Sequence, residues 1–245
     1  MKASVIGYPR IGALRDLKLA IEKYFKKELA KEELQVIASK LKEEHWKVQK
    51  NNGIDFITSN DFSFYDNLLD TAVLLNIVPN RYRQLKLDAL DEYFAMARGY
   101  QGNKGDVKAL PMKKWFNTNY HYIVPEIDDD TEILLVGTKP FDEYVEARNC
   151  GIETKSAIIG AFTFLKLVKF TGKRTIEDYI ADITRAYSDL LDKFSALGAR
   201  WVQFDEPALV MDLSEEDIVF LVKFTRDFLQ KRTIRKCFCK LILVI

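Results

Sequence analysis

Short apolar runs alternate along the chain with longer segments of helical period. Residues 4–8 read as a buried strand, 54–58 as a second short strand, and 14–25 between them as a mixed charged and apolar helix. Lys31–Asn51 reads as a second helix, with Leu34, Ile37, Leu41 and Val48 on one stripe and Gly53 as its stop. Further helices are expected over 66–76 before Pro79, 87–98 before Gly99, and 141–149 before Gly151. Residues 101–108, rich in Gly, Asn and Lys, read as a mobile loop. Residues 115–124 fit a strand or an ordered loop, and 157–165 a strongly apolar strand. The clearest helix carries Ile176, Tyr179, Ile180, Ile183, Tyr187, Leu190, Leu191, Phe194 and Leu197 at steps of three or four. Thr175 with Asp178 opens it as an acidic capping box, and Gly198 closes it. Residues 201–204 form the next strand, and Ser214 with Asp217 caps a last helix through Ile218, Leu221, Val222 and Leu229.

Strand and helix alternating at this spacing predict an α/β fold: a parallel sheet with helices on its faces. The 245 residues lie near the ~250 of a single (β/α)8 barrel, and no linker divides them. In such a barrel the chemistry sits where strands end. Tyr8-Pro9-Arg10, Ser59-Asn60-Asp61 and Asp205-Glu206 fall at such places.

Composition narrows the function classes. With 37 Lys+Arg against 36 Asp+Glu the net charge is +1, without the basic excess that nucleic-acid binding demands. No run approaches the ~18 apolar residues of a membrane span. The apolar run before Pro9 is too short for a signal peptide, and Cys150, Cys237 and Cys239 make no disulfide framework, so the reduced cytoplasm is the expected address. A zinc centre usually needs three protein ligands, and His45, His121 and these cysteines lack ligand spacing, so none is expected.

Three motifs carry candidate chemistry. Gly7-Tyr8-Pro9-Arg10-Ile11-Gly12, followed by Arg15 and Lys18 near the start of a helix, suits an anion: Arg offers a planar donor fork and Lys a point charge. The competing reading is a tight turn and a solvated helix face. Lys113-Lys114-Trp115-Phe116-Asn117-Thr118-Asn119-Tyr120-His121-Tyr122 sets aromatics and amides beside two lysines, which suits a flat heteroaromatic ligand with an acidic tail, or else a strand with ordinary polar satisfaction. Asp205-Glu206-Pro207 offers paired carboxylates for acid–base work or a cation, or simply a helix cap.

These motifs, together with Asn60-Asp61-Phe62-Ser63-Phe64-Tyr65-Asp66 and Trp201-Val202-Gln203-Phe204-Asp205-Glu206-Pro207-Ala208-Leu209, occur in the order found in cobalamin-independent methionine synthases. From about Ser4 to Leu229 the chain resembles their N-terminal domain. The resemblance implies a (β/α)8 barrel, here incomplete at its C-terminal end. It implies the folate-binding half of an enzyme that moves a methyl group from 5-methyltetrahydropteroyltriglutamate to homocysteine. Arg15, Asp16, Leu17 and Lys18 match the family's folate-binding stretch and Lys114 a further folate contact, while Asn117, Asn119 and His121 are added as pocket residues. The catalytic zinc belongs to a second barrel, so no catalytic or metal residue is assigned here, and a separate C-terminal barrel becomes a candidate partner.

Two departures stand out. Gly160-Ala161-Phe162-Thr163 lies where the family has Gly-Pro before a hydrophobic residue and Thr. Residues 230–245 match nothing expected of the family and read as an aberrant, frameshifted tail on a partial barrel spanning 1–229. The alternatives are a non-catalytic folylpolyglutamate-binding module, an inert pseudogene fragment, or another barrel enzyme such as a decarboxylase-like relative.

Overall fold

The structure is a computed structural model describing residues 2–230 and 240–244. Its helices are α1 (Asp16–Phe25), α2 (Lys31–Asn51), α3 (Asn67–Leu74), α4 (Asn80–Arg83), α5 (Ala89–Arg98), α6 (Lys139–Asn149), α7 (Ala161–Leu167), α8 (Ile180–Ala196) and α9 (Glu215–Gln230). The strands β1 (Ile57–Ser59), β7 (Thr154–Ile159), β9 (Trp201–Asp205) and β10 (Lys240–Val244) form one parallel sheet in that order. Ser4 adds a parallel bridge to Phe56 on the far side of β1. Five chain segments thus lie side by side in sequence order, as in a βα-repeat. Among the described residues this sheet is open, not a closed barrel. Three small pairs decorate it: the hairpins β2 (Tyr100–Gly102) with β3 (Gly105–Val107) and β4 (Met112–Lys114) with β5 (His121–Ile123), and the parallel pair β6 (Glu126–Ile127) with β8 (Lys169–Phe170).

Register sorts the sheet into two faces. Thr58 pairs with Lys155 and Ala157 with Gln203, so Thr58, Lys155, Ala157, Gln203 and Asp205 share one face. Ile158, Val202 and Phe204 occupy the other and join the main core with Tyr187, Leu190, Leu191 and Phe194 of α8. The helical stripe of α8 is buried as its period requires, and Tyr187 Oη donates to the Ile159 carbonyl at 2.5 Å. Its first turn after Thr175 is 3-10, with Asp178 accepting from the Thr175 backbone as a capping box. Ser214 and Asp217 cap α9 reciprocally, at 3.2 and 2.9 Å. No helix among the described residues is long and apolar enough to cross a membrane.

Several expectations are corrected. Residues 4–8 are not a buried strand. Beyond the Ser4 bridge nothing pairs on their outer side among the described residues, and Ile6 is 72% exposed. Residues 157–165 are not one strand: β7 ends at Ile159 and Ala161 opens α7, because a carboxylate caps that helix start. Residues 101–108 are not an irregular loop but mostly a tight hairpin, Gly102 facing Gly105 across Asn103-Lys104. The expected helix over 14–25 begins only at Asp16, since Arg15 sits in the left-handed region at φ 64°. The α2 stripe drifts toward Ala38, His45, Trp46 and Gln49, leaving Val48 exposed. On α9 the core face belongs to Phe220 and Phe228, so Ile218 and Val222 point outward; the side chain of Leu229 lies outside the described residues. Cys237 and Cys239 are also outside them.

Candidate functional site

At the C-terminal edge of the parallel strands lies a cavity of ≈ 640 Å³. Tyr8 and Pro9 line it from the first motif, Asn60 and Asp61 from the end of β1, Ile159 from β7 and Asp205 from β9. The three strand-end clusters therefore converge as the βα arrangement requires. Ser59 does not: it turns to the other face and shares hydrogen bonds of 2.9 and 3.0 Å with Thr154 and Ser156. Tyr120, from the hairpin β4–β5, reaches into the same cavity.

The Gly7–Gly12 turn is held by carboxylates. The Tyr8 amide donates to Asp61 Oδ2 at 2.7 Å, and Tyr8 stacks on His45 of α2 with ring centroids 4.5 Å apart. Burial pushes the Asp61 carboxyl up to about 6, against the stabilising bond from Tyr8. Burial likewise lowers His45 from its usual range. Asn60, at φ 61°, donates its backbone N–H to Glu143 at 2.9 Å and accepts from Lys139 at 2.8 Å. Lys139 also bridges Glu143 and Asp70, at 3.1 and 3.2 Å.

Below the cavity floor lies a residue that motif reasoning missed. Lys155 is 1% exposed, and its ammonium donates to the Val5 carbonyl at 3.0 Å, to Thr58 Oγ1 at 2.9 Å and to Gln203 Oε1. Gln203 in turn donates to Asp205 Oδ1 at 2.7 Å. Burial lowers the Lys155 pKa, against Asp205 and Asp61, and raises that of Asp205. The available signal was parity: Lys155 interrupts a strand of small and apolar residues on the same face as Ala157, Gln203 and Asp205.

Glu206 resolves the third motif in favour of capping, though of a neighbour. Its buried carboxylate accepts from the Phe162 and Thr163 amides at 3.1 and 2.7 Å, closing the start of α7. Ala161 occupies the first helical position, where Pro is also accommodated, so the departure from Gly-Pro leaves this turn intact.

The predicted anion residues are spread out. Asp16 folds back on its own turn, Oδ2 accepting from the Leu14 amide at 3.1 Å, beneath Gly12 at φ +82°. Leu17 is buried, whereas Arg15 and Lys18 are exposed. Lys18 pairs with Glu22 at 3.6 Å. Leu17 and Lys18 line a separate groove of ≈ 500 Å³ together with Arg10, Lys26 and Arg98. Lys114 and His121 face each other across the exposed hairpin, with Asn117 and Asn119 exposed in its loop. Neither Arg15 nor any of these hairpin residues lines either cavity. No three His, Cys, Asp or Glu side chains converge to hold a metal among the described residues.

Comparison with known proteins places the chain in a family. The model of the cobalamin-independent synthase N-terminal domain matches residues 2–240. A 5-methyltetrahydropteroyltriglutamate–homocysteine methyltransferase of Campylobacter jejuni subsp. doylei is 56% identical over 232 residues, which is 95% of this chain and 31% of that protein. The enzyme of the same name from Lactococcus lactis subsp. cremoris is 49% identical over the same share. The chain thus spans about a third of the length of these curated relatives. A crystal structure of a putative vitamin-B12 independent methionine synthase from Listeria monocytogenes superposes with a TM-score of 0.59 at 14% identity, over 99% of this chain and 63% of that one. The chain belongs to the cobalamin-independent methionine synthase family and corresponds to its N-terminal domain.

Proposed function

We propose that this chain is the folate-holding part of a methyltransferase that passes a methyl group from 5-methyltetrahydropteroyltriglutamate to homocysteine. The observation that carries the reading is the 56% identity, over 95% of the chain, to a protein bearing that name. In this reading the parallel sheet is part of a (β/α)8 barrel. Its work is to bind and orient an acidic ligand, with Arg15 and Lys18 at the start of α1 and Lys114 on the hairpin supplying cations. Asp16 and Leu17 support them, Asp16 by bracing the turn and Leu17 by anchoring α1 in the core. Asn117, Asn119 and His121 would add polar contacts from the hairpin loop.

Zinc and homocysteine chemistry are assigned to a region beyond the matched third of the longer relatives, in a second barrel that this chain would complement. Titration calorimetry of the chain with 5-methyltetrahydropteroyltriglutamate tests the proposal. Binding that weakens several-fold in Lys114→Ala is expected. No heat at millimolar ligand refutes folate binding, and turnover by the zinc-loaded isolated chain refutes the division of labour.

A further inference from the structure

We infer that the groove between α2 and α6 is a second small-molecule site, which takes an α-amino acid with an apolar side chain and braces Asn60 when filled. The cavity measures ≈ 550 Å³, within the range of small-molecule sites, and none of Arg15, Lys18 or Lys114 lines it. On α2 its lining residues are Lys31, Gln35, Ala38, Ser39 and Lys42, at steps of three or four. It therefore runs along about three turns of that helix, or ~16 Å. Phe62, Phe64 and Tyr93 give it an aromatic wall for an apolar side chain.

Charge of both signs gathers at the Lys42 end. Lys42 binds Glu146 and lies 3.9 Å from Glu143, while Lys139 lies 3.1 Å from the same Glu143 and 3.2 Å from Asp70. Asp142, the neighbour of Glu143 on α6, lines the groove with them. Two cations here face three carboxylates, so a ligand of one sign meets repulsion as well as attraction, whereas a dipolar head group meets both signs at once. Asp142 is the open acceptor for its ammonium: the side chain is exposed and its carboxylate has no partner among the described residues. Lys42 gives one of its three donors to Glu146 and keeps donors for the carboxylate of the amino acid. No side chain caps the start of α6, so the dipole of its first turn favours that carboxylate as well.

Two observations tie this groove to the cavity at the strand ends. Asp70 lines both. Asn60 gives its backbone N–H to Glu143 at 2.9 Å and accepts from Lys139 at 2.8 Å, so two groups lining the groove hold it at φ 61°. A non-glycine residue in that region persists only while its surroundings hold it there. A ligand seated over Lys139 and Glu143 shields these bonds from water and tightens Asn60.

The test is calorimetry of the full chain with L-phenylalanine and L-methionine. Beside them are titrated N-acetyl-L-phenylalanine, which lacks the ammonium, and L-phenylalanine methyl ester, which lacks the carboxylate. A charge-assisted contact is worth about tenfold in affinity or more, so both blocked compounds are expected to bind at least about tenfold more weakly. Asp142→Asn, at an exposed position, should weaken L-phenylalanine by a similar factor and leave the N-acetyl compound unchanged. Ser39→Trp, also exposed, should fill the groove and abolish binding. Saturating L-phenylalanine should slow hydrogen exchange at the Asn60 amide several-fold in the parent chain and not in Ser39→Trp. No binding at millimolar amino acid, equal binding of a blocked compound, full binding by both variants, or unchanged exchange at Asn60 overturns the proposal.

Discussion

The Glu206 cap allows a quantitative test of how α7 is held. Glu206→Ala removes two hydrogen bonds to the Phe162 and Thr163 amides and leaves both donors buried. Bonds to a charged acceptor contribute about 1.5–3 kcal/mol each, and the burial that raises the Glu206 pKa offsets part of this. A net loss of about 2–4 kcal/mol is expected, or roughly 5–15 °C in Tm for a domain of this size. Gly160→Ala should cost a similar amount by a different route. Its backbone at φ −68° and ψ 155° accepts any side chain, but the new Cβ would lie 2.0 Å from Glu206 Cδ and must displace the carboxylate. Because both changes destroy one interaction, the second should cost little once the first is made. Urea unfolding followed by far-UV circular dichroism measures all four proteins. The double variant is expected within about 1 kcal/mol of Glu206→Ala, giving a coupling of about 1–4 kcal/mol. Costs that simply add would refute the cap.

Further outcomes follow from the polar face of the sheet. Asp61 and Asp66 are both pushed up to about 6 by burial, so the native state binds more protons than the unfolded chain between about pH 4 and 6. Their contribution is present below the unfolded value and lost as pH rises through 6; Asp61→Asn should flatten the stability curve in that window, read by urea midpoints at several pH values. Lys155→Met keeps the volume but strips the Val5 carbonyl, Thr58 and Gln203 of a donor, so a loss of about 2–4 kcal/mol is expected, with faster hydrogen exchange at Asp55 and Phe56, whose amides bond to Ala3. Unchanged exchange there would show that Lys155 does not tie the first segment to the sheet.

Legibility in the sequence followed how local the cause was. The bounds of α2 and the Thr175–Asp178 and Ser214–Asp217 caps were readable because their period and their partners lie within a few residues. The break between β7 and α7 was not, since its cause sits at Glu206, more than forty positions on. The apolar content of 157–165 is the same whether those residues make a strand or a buried helix, and only tertiary capping decides. The exposure of residues 4–8 and the placing of Lys155 depend equally on which strand lies alongside. At the site, the convergence of Tyr8, Asn60, Asp61 and Asp205 was foreseeable from strand-end position alone. The Lys139–Glu143–Asp70 bridge under Asn60 was not, because no motif joins α6 to β1. The basic groove escaped notice for a similar reason: Arg10, Lys26 and Arg98 come from three distant segments, and only packing gathers them.

The reach of Glu206 also sets an order of events during synthesis. The first turn of α7 is emerging when its acceptor has yet to be made, 43 and 44 residues downstream. Until β9 docks beside β7, the Phe162 and Thr163 amides have only water to satisfy them. The β7–α7 unit therefore matures no earlier than the arrival of its neighbour, so this part of the fold is built in overlapping pairs of repeats and not one repeat at a time.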